Sequence, residues 1–250
     1  MSNGEGKWVE TLIAGHPADV FEPGSRSPTS GTVVYLHGVN QTRLVSNEVF
    51  TRLFGQHGLR VVAPLTGPSW WTDRICQAFD PALTAERHVR ENVLAWIAQA
   101  WDARPPHVAL LGTSMGGQGA LRLSFKLAST FPIVAAISPA IDFQWRIQEG
   151  DPNLSSMYID AEAARQDTAL LHIHALNWPR NIWFCCDPAD VRWHESAEKL
   201  RMKLYSLGIP HECDLETEAG GHGFEYYDHM AERAIGFIVQ RLQQERARVV

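Results

Sequence analysis

The stretch Gly112-Thr113-Ser114-Met115-Gly116 sets a serine midway between two glycines, at the point where the apolar run Val108 to Gly112 gives way to a helical pattern. A backbone bent sharply enough to hold a side chain outside both strand and helix leaves no room for a Cβ on either side. The glycines therefore fit a nucleophile elbow that turns the Ser114 hydroxyl toward a substrate. An ordinary strand-to-helix turn with a serine near the cap is the competing reading. The position of the motif, ending an apolar strand and opening a helix, favours the elbow.

A serine hydroxyl is a weak nucleophile near neutral pH, so it needs a base within hydrogen-bond reach and a carboxylate to orient that base. After a nucleophile elbow the chain order is serine, acid, histidine, which restricts the base to His172, His174, His194, His211, His222 or His229. Only His222 stands in a glycine-rich loop, "EAGGHGFEYY", between an expected last strand and a closing helix. Gly220, Gly221 and Gly223 leave its imidazole room to approach the elbow. The pair His172 and His174 in "LHIH" has no accompanying carboxylate or cysteine cluster, so no metal is expected. For the acid, the loop "CDPADVRWHES" offers both Asp187 and Asp190. Asp187 could instead organise the turn ahead of Pro188, and Asp190 could cap the following helix. The residues themselves leave the choice open.

Acyl transfer also needs backbone donors for the oxyanion. The Met115 amide, next after the nucleophile, is one by geometry, and "VVYLHGVN" supplies a strand that ends in His37-Gly38 and turns across the site. The Val39 amide is the expected second donor, with His37 fixing the loop rather than moving protons. Asn40 on the same loop, Trp70 and Trp71 in "TGPSWWTDRICQAFD", and Trp145 further on are expected to face the substrate. Trp70 and Trp71 fit equally a small core beneath their loop.

These residues need a scaffold that brings three distant loops to one edge. Apolar runs at Thr32 to Leu36, Leu59 to Ala63, Val108 to Gly112, Ile133 to Ser138 and Asn181 to Cys186 read as parallel strands covered on both faces. Between them, Val49, Phe50, Leu53 and Phe54, then Val89, Val93, Ile97 and Trp101, then Leu121, Phe125 and Ala128 recur at three-and-four spacing, each set on one helix face. The expected architecture is α/β, with a mostly parallel central sheet, helices on both faces and the site at the strand C-termini. Weaker strands near Val9 to Ala14 and Ala18 to Phe21 would begin the sheet antiparallel. "EPGSRSPTSG" reads as a surface connection, Glu212 to Thr217 as a last strand and Tyr226 to Arg248 as a closing helix. The stretch 140–180 is too long for one crossover helix and is expected to form a lid or cap. Within it "DAEAARQDTALL" is read as helix and "DFQWRIQEGDPNLSSMY" as a loop folded over a pocket.

At 250 residues the chain fits a single domain spanning 1–250, and 45% hydrophobic with 20% charged residues is ordinary globular usage. A net charge of −6 with scattered Lys and Arg argues against a nucleic-acid partner. No apolar run suits a membrane span, and "MSNGEGKWVE" lacks the basic and apolar regions of a signal peptide, so a cytoplasmic address is expected. Cys76, Cys185, Cys186 and Cys213 show no metal spacing and are expected to be reduced structural thiols. Oligomeric state is not legible.

"YLHGVNQ", "GTSMGGQGALRL", "AAISPAIDF" and "GGHGFEYYDHM", in that order from about Thr32 to Phe237, resemble the oxyanion strand, elbow, following strand and histidine loop of the α/β hydrolases. Within them the resemblance is to the putative esterase family, which includes esterase D, S-formylglutathione hydrolases, feruloyl esterase modules and mycolyltransferases. In that family a Gly-x-x-Asp turn carries the acid. Aligned on "CCDPAD", Asp187 takes the glycine position and Asp190 the acid, so the resemblance implies Asp190. An Asp-Pro in place of the glycine, and Phe224 where many relatives carry Trp, are departures. The resemblance implies a serine hydrolase of small-molecule carboxylic esters, acting without a cofactor. A thioesterase or acyltransferase would use the same residues, and a non-catalytic relative of the same fold would only bind a ligand.

Overall fold

Strands that run apolar throughout must be covered on both faces, and the fold does this with one eight-stranded sheet. In this computed structural model, which describes residues 6–24 and 30–248, the strands are β1 (Lys7–Ile13), β2 (His16–Glu22), β3 (Gly31–Leu36), β4 (Leu59–Pro64), β5 (Val108–Thr113), β6 (Ile133–Ile137), β7 (Asn181–Cys185) and β8 (Glu212–Asp214). Their spatial order is β1-β2-β4-β3-β5-β6-β7-β8. β1 pairs antiparallel with β2, β2 antiparallel with β4, and every other pairing is parallel. The architecture is the mostly parallel α/β one that the sequence implies. Residues 1–5 of the leading segment and 25–29 of the connection expected at 22–31 lie outside the described residues.

The helices are α1 (Glu48–Gln56), α2 (Ala85–Arg87), α3 (Leu94–Trp101), α4 (Met115–Lys126), α5 (Phe143–Gln148), α6 (Pro152–Met157), α7 (Ala161–Arg165), α8 (Val191–Ser206) and α9 (Phe224–Ala247), with a π-helical turn His88–Val93 joining α2 to α3. Strand alternation sorts the core into two layers. Val34, Leu110, Val134 and Ile182 face Val93 and Ile97, Leu121 and Phe125 of α4, and Leu200 of α8. Val33, Ala109, Leu111, Ile133 and Trp183 face Phe50 and Phe54 of α1 and Met230, Ile235 and Ile238 of α9. Among the described residues no helix is long and apolar enough to cross a membrane.

The stretch 140–180 differs from its expected form. The segment expected as a loop holds α5 and α6, whose first turns are capped by Asp142, accepting from the Trp145 amide at 2.9 Å, and by Asp151, accepting from Asn153 and Leu154, each at 3.0 Å. Helices of six residues carry too few turns for a periodic pattern to show. The helix expected over "DAEAARQDTALL" breaks after Arg165, because Asp167 turns inward to the buried Arg122 of α4. Ile141, Phe143, Leu154 and Ala164 are buried in the same layer as α4, so these short helices are integral to the core on that side.

Arg122 is 1% exposed and bridges Glu86 of α2 and Asp167, while Lys126 reaches Glu86 at 2.7 Å and the Tyr158 hydroxyl donates to Asp167 at 2.7 Å. Removing one member of a buried ion network strands its partners without water. Arg122→Met is expected to lower unfolding stability by about 3 kcal/mol, measured by urea denaturation, with α4 and the 140–180 stretch losing amide protection together. A loss under about 1 kcal/mol would mean that the network does not anchor this segment.

Candidate active site

The C-terminal ends of β3, β5 and β7, and the loop after β8, converge on one edge of the sheet, where an open α/β sheet holds its ligands. Ser114 sits between β5 and α4 with φ 54° and ψ −119°, a left-handed backbone costly for any residue with a Cβ. The flanking glycines allow the turn. A Cβ on Gly112 would stand 2.1 Å from the Gly116 carbonyl oxygen, and one on Gly116 would stand 1.8 Å from the Leu36 carbonyl oxygen. The turn is further held by the Ser114 amide donating to the Ile137 carbonyl at 3.0 Å and by the Ala140 amide donating to the Ser114 carbonyl at 3.0 Å. Ser114 is 8% exposed and its hydroxyl opens on a cavity.

Ser114 Oγ lies 2.8 Å from His222 Nε2, and His222 Nδ1 lies 2.6 Å from Asp190 Oδ2. A carboxylate can only accept, so the proton of a neutral imidazole is on Nδ1 and Nε2 is left to accept from the serine hydroxyl. Asp190 occupies the position just before α8, yet its side chain makes no capping bond, which leaves its carboxylate to His222 and to the Cys186 thiol at 3.8 Å. Asp187 is turned away from the imidazole. Its carboxylate is fully buried and accepts from three backbone amides, of Ala189, Ala219 and Gly221. Burial alone would raise its pKa, but these hydrogen bonds hold it below the usual carboxylate range.

Four of the other candidate histidines are occupied elsewhere, and His229 is exposed on α9. His172 bonds Asp167, His174 accepts from the Leu176 amide, His194 bonds the Leu215 carbonyl and His211 the Ile209 carbonyl. Among the described residues no cluster of His, Cys, Asp and Glu could hold a metal ion. All four cysteines are free.

The Met115 amide opens α4 beside the nucleophile, and Val39 is the second residue of a turn closed by the Gln41 amide on the Gly38 carbonyl at 2.9 Å. A Cβ on Gly38 would stand 3.4 Å from the Ser114 Cβ, so this loop passes in contact with the serine. His37 holds the loop from below: its Nε2 accepts from the Thr66 amide at 3.1 Å and its Nδ1 donates to the Gly38 carbonyl at 2.8 Å. Burial lowers its pKa to about 4, which keeps it neutral.

Val39 and Asn40 line the cavity beside Ser114 together with Thr42, His222, Phe224 and Tyr227; its volume is about 130 Å³. Trp70 and Trp71 do not line it. Both are buried, Trp71 with its indole N–H on the His37 carbonyl at 3.1 Å and its ring against Gly119, and Trp70 edge-on to Phe143 at 5.2 Å. They form the core beneath the loop, so their expected contact with substrate gives way to a supporting position. Trp145 is also set back: it packs edge-on against Trp193 at 5.6 Å with Arg192 over its face, and Trp193 in turn lies 6.3 Å from the His222 ring. Tyr227, absent from the sequence expectations, meets the His222 ring edge-on at 5.7 Å. Burial pushes its hydroxyl pKa well above the ordinary phenol value. The signal for it lay in the sequence, because position 227 is the first full turn of the closing helix, on the face that carries Met230 and Ala234 inward.

A sequence profile of the family described as "Putative esterase" matches residues 16–229. The fold is similar to an S-formylglutathione hydrolase from Agrobacterium tumefaciens, with a TM-score of 0.78 at 18% identity over 97% of this chain and 98% of that one. The fluorophosphonate-binding serine hydrolase F (FphF) of Staphylococcus aureus superposes with a TM-score of 0.74 at 16% identity, covering 94% and 99%. A ferulic acid esterase superposes with a TM-score of 0.73 at 17% identity, also covering 94% and 99%. No curated protein matches the sequence.

Proposed function

The chain belongs to the putative esterase family and is by that membership an esterase; from this premise we propose that it hydrolyses small carboxylic esters through Ser114, His222 and Asp190 and an acyl-enzyme on Ser114. The unbroken relay from Ser114 Oγ through His222 to Asp190 carries the proposal, its two links being 2.8 and 2.6 Å. His222 Nε2 accepts the hydroxyl proton as Oγ adds to the ester carbonyl, and the resulting imidazolium is stabilised and oriented by Asp190. The Met115 and Val39 amides receive the oxyanion, each donor being worth about 3 kcal/mol of transition-state stabilisation. Collapse of the tetrahedral species breaks the bond to the alcohol, which leaves with the proton from Nε2. Water then gives its proton to Nε2 and adds to the acyl carbon, and the proton returns to Oγ as the carboxylic acid departs.

The cavity volume supports a short acyl group. A pocket of about 130 Å³ is well below the several hundred that accommodate large ligands, and the aromatic rings of Phe224 and Tyr227 are part of its wall. A fluorophosphonate is expected to modify Ser114 stoichiometrically, and p-nitrophenyl acetate to be hydrolysed at least about tenfold faster than the octanoate, assayed beside feruloyl and S-formylglutathione substrates. Failure to label would leave a binding protein of the same fold. A preference for the octanoate would refute the short-acyl assignment.

A further inference from the structure

The loops that carry the acid and the base are separate segments of the chain, and the histidine loop has nothing in its own sequence stiff enough to hold it against the acid loop. The histidine loop contains Gly220 and Gly221 in left-handed conformations, with φ of +93° and +76°, immediately before His222. Three glycines within four residues leave such a segment many conformations besides this one. Yet Nδ1 of His222 must stay within hydrogen-bond reach of Asp190, at 2.6 Å.

We propose that Asp187 is the positioning residue for His222: one buried carboxylate binds the acid loop to the histidine loop and so sets the distance between Asp190 and the imidazole. Its Oδ1 accepts from the Ala189 amide at 2.7 Å, closing the turn that brings Asp190 round, and the Asp190 amide donates to the Asp187 carbonyl at 2.9 Å. Its Oδ2 accepts from the Ala219 amide at 2.7 Å and from the Gly221 amide at 2.9 Å, one on each side of Gly220. The backbone amide next before His222 is therefore tied to the residue three before Asp190. Asp187 is 0% exposed, so water does not compete for these bonds. Asparagine at this position would offer one acceptor oxygen and turn an NH2 toward backbone N–H groups. Alanine would leave both histidine-loop amides without an acceptor.

The assignment rests on the catalytic reading above, and its test separates the two. In the wild-type protein the Ala219 and Gly221 amides are expected to exchange with deuterium at least about a hundredfold more slowly than in an open chain, since the carboxylate is their acceptor. In Asp187→Asn and Asp187→Ala, folded by circular dichroism, both amides are expected to exchange at least tenfold faster. Turnover should fall about a hundredfold and KM stay within threefold, because an ångström of misplacement at the base is felt in the chemical step rather than in binding. Fluorophosphonate labelling of Ser114 should slow by the same factor. Wild-type amides that exchange freely would overturn the proposal even if neither variant folds. Folded variants that label at the wild-type rate, or that lose turnover only in proportion to the folded fraction, would overturn it as well. Absence of labelling in the wild type would instead sink the hydrolase reading, and the exchange of Ala219 and Gly221 would still decide whether Asp187 joins the loops.

Discussion

Ser114→Ala is expected to reduce ester turnover by roughly 10⁶-fold, the scale seen when the nucleophile of a serine hydrolase triad is removed, while leaving substrate binding nearly intact. The oxyanion donors and the cavity remain, so a small rate above the uncatalysed reaction should persist. The effect on the fold should be slight, because the hydroxyl bonds His222, whose side chain is 32% exposed, and opens on the cavity rather than packing in the core. Alanine keeps the Cβ and with it the strain of φ 54°. Ser114→Gly removes both, so it should be as inactive as alanine and more stable by about 1 kcal/mol, the lower end of what a left-handed residue costs. Single-turnover kinetics with a p-nitrophenyl ester and thermal midpoints for the two variants check both halves. Turnover in either variant within a hundredfold of wild type would remove Ser114 from the mechanism. Equal stabilities would mean that the elbow is not strained at this residue.

Much of the architecture was legible because parallel strands buried on both faces are written as uninterrupted apolar runs. Thr32 to Leu36 and Leu59 to Ala63 lie within a residue of β3 and β4 as folded. The elbow was legible for a steric reason, since the backbone contacts that forbid a Cβ at positions 112 and 116 leave glycine as the residue that fits. What was illegible depended on partners far along the chain. The expected strand Glu212 to Thr217 stops at Asp214, whose carboxylate captures the amides of Glu216 and Thr217 at 3.0 and 2.9 Å and turns the chain toward the histidine loop. Trp70 and Trp71 follow a strand end in the same manner whether they face a ligand or a loop. The burial of Trp71 is decided by Gly119 and His37 and that of Trp70 by Phe143, which no local pattern connects to them. Asp187 reads as a turn residue because its other two partners are 32 and 34 positions away.

The choice between two aspartates is where the geometry makes the sharpest demand on experiment. Asp190→Asn is expected to lower turnover by about four orders of magnitude with a nearly unchanged thermal midpoint. The amide NH2 of asparagine would face Nδ1 and donate to it, which moves the imidazole proton to Nε2. There it points at the Ser114 hydroxyl, which then has no acceptor for its own proton. A cap at the start of α8 would give the opposite result, since asparagine caps as well as aspartate and the change would be silent in rate and stability alike. The structure already separates these accounts by one observation, that Asp190 stands at the cap position without a side-chain capping bond. Asp187→Asn should cost only about a hundredfold, because it loosens the base without changing its tautomer. The ratio of the two losses therefore distinguishes an orienting acid from a loop tie. If Asp187→Asn proved the more damaging in kcat while Asp190→Asn stayed near wild type, the acid would be Asp187, and the bond of 2.6 Å between Asp190 and His222 would be a contact without catalytic consequence.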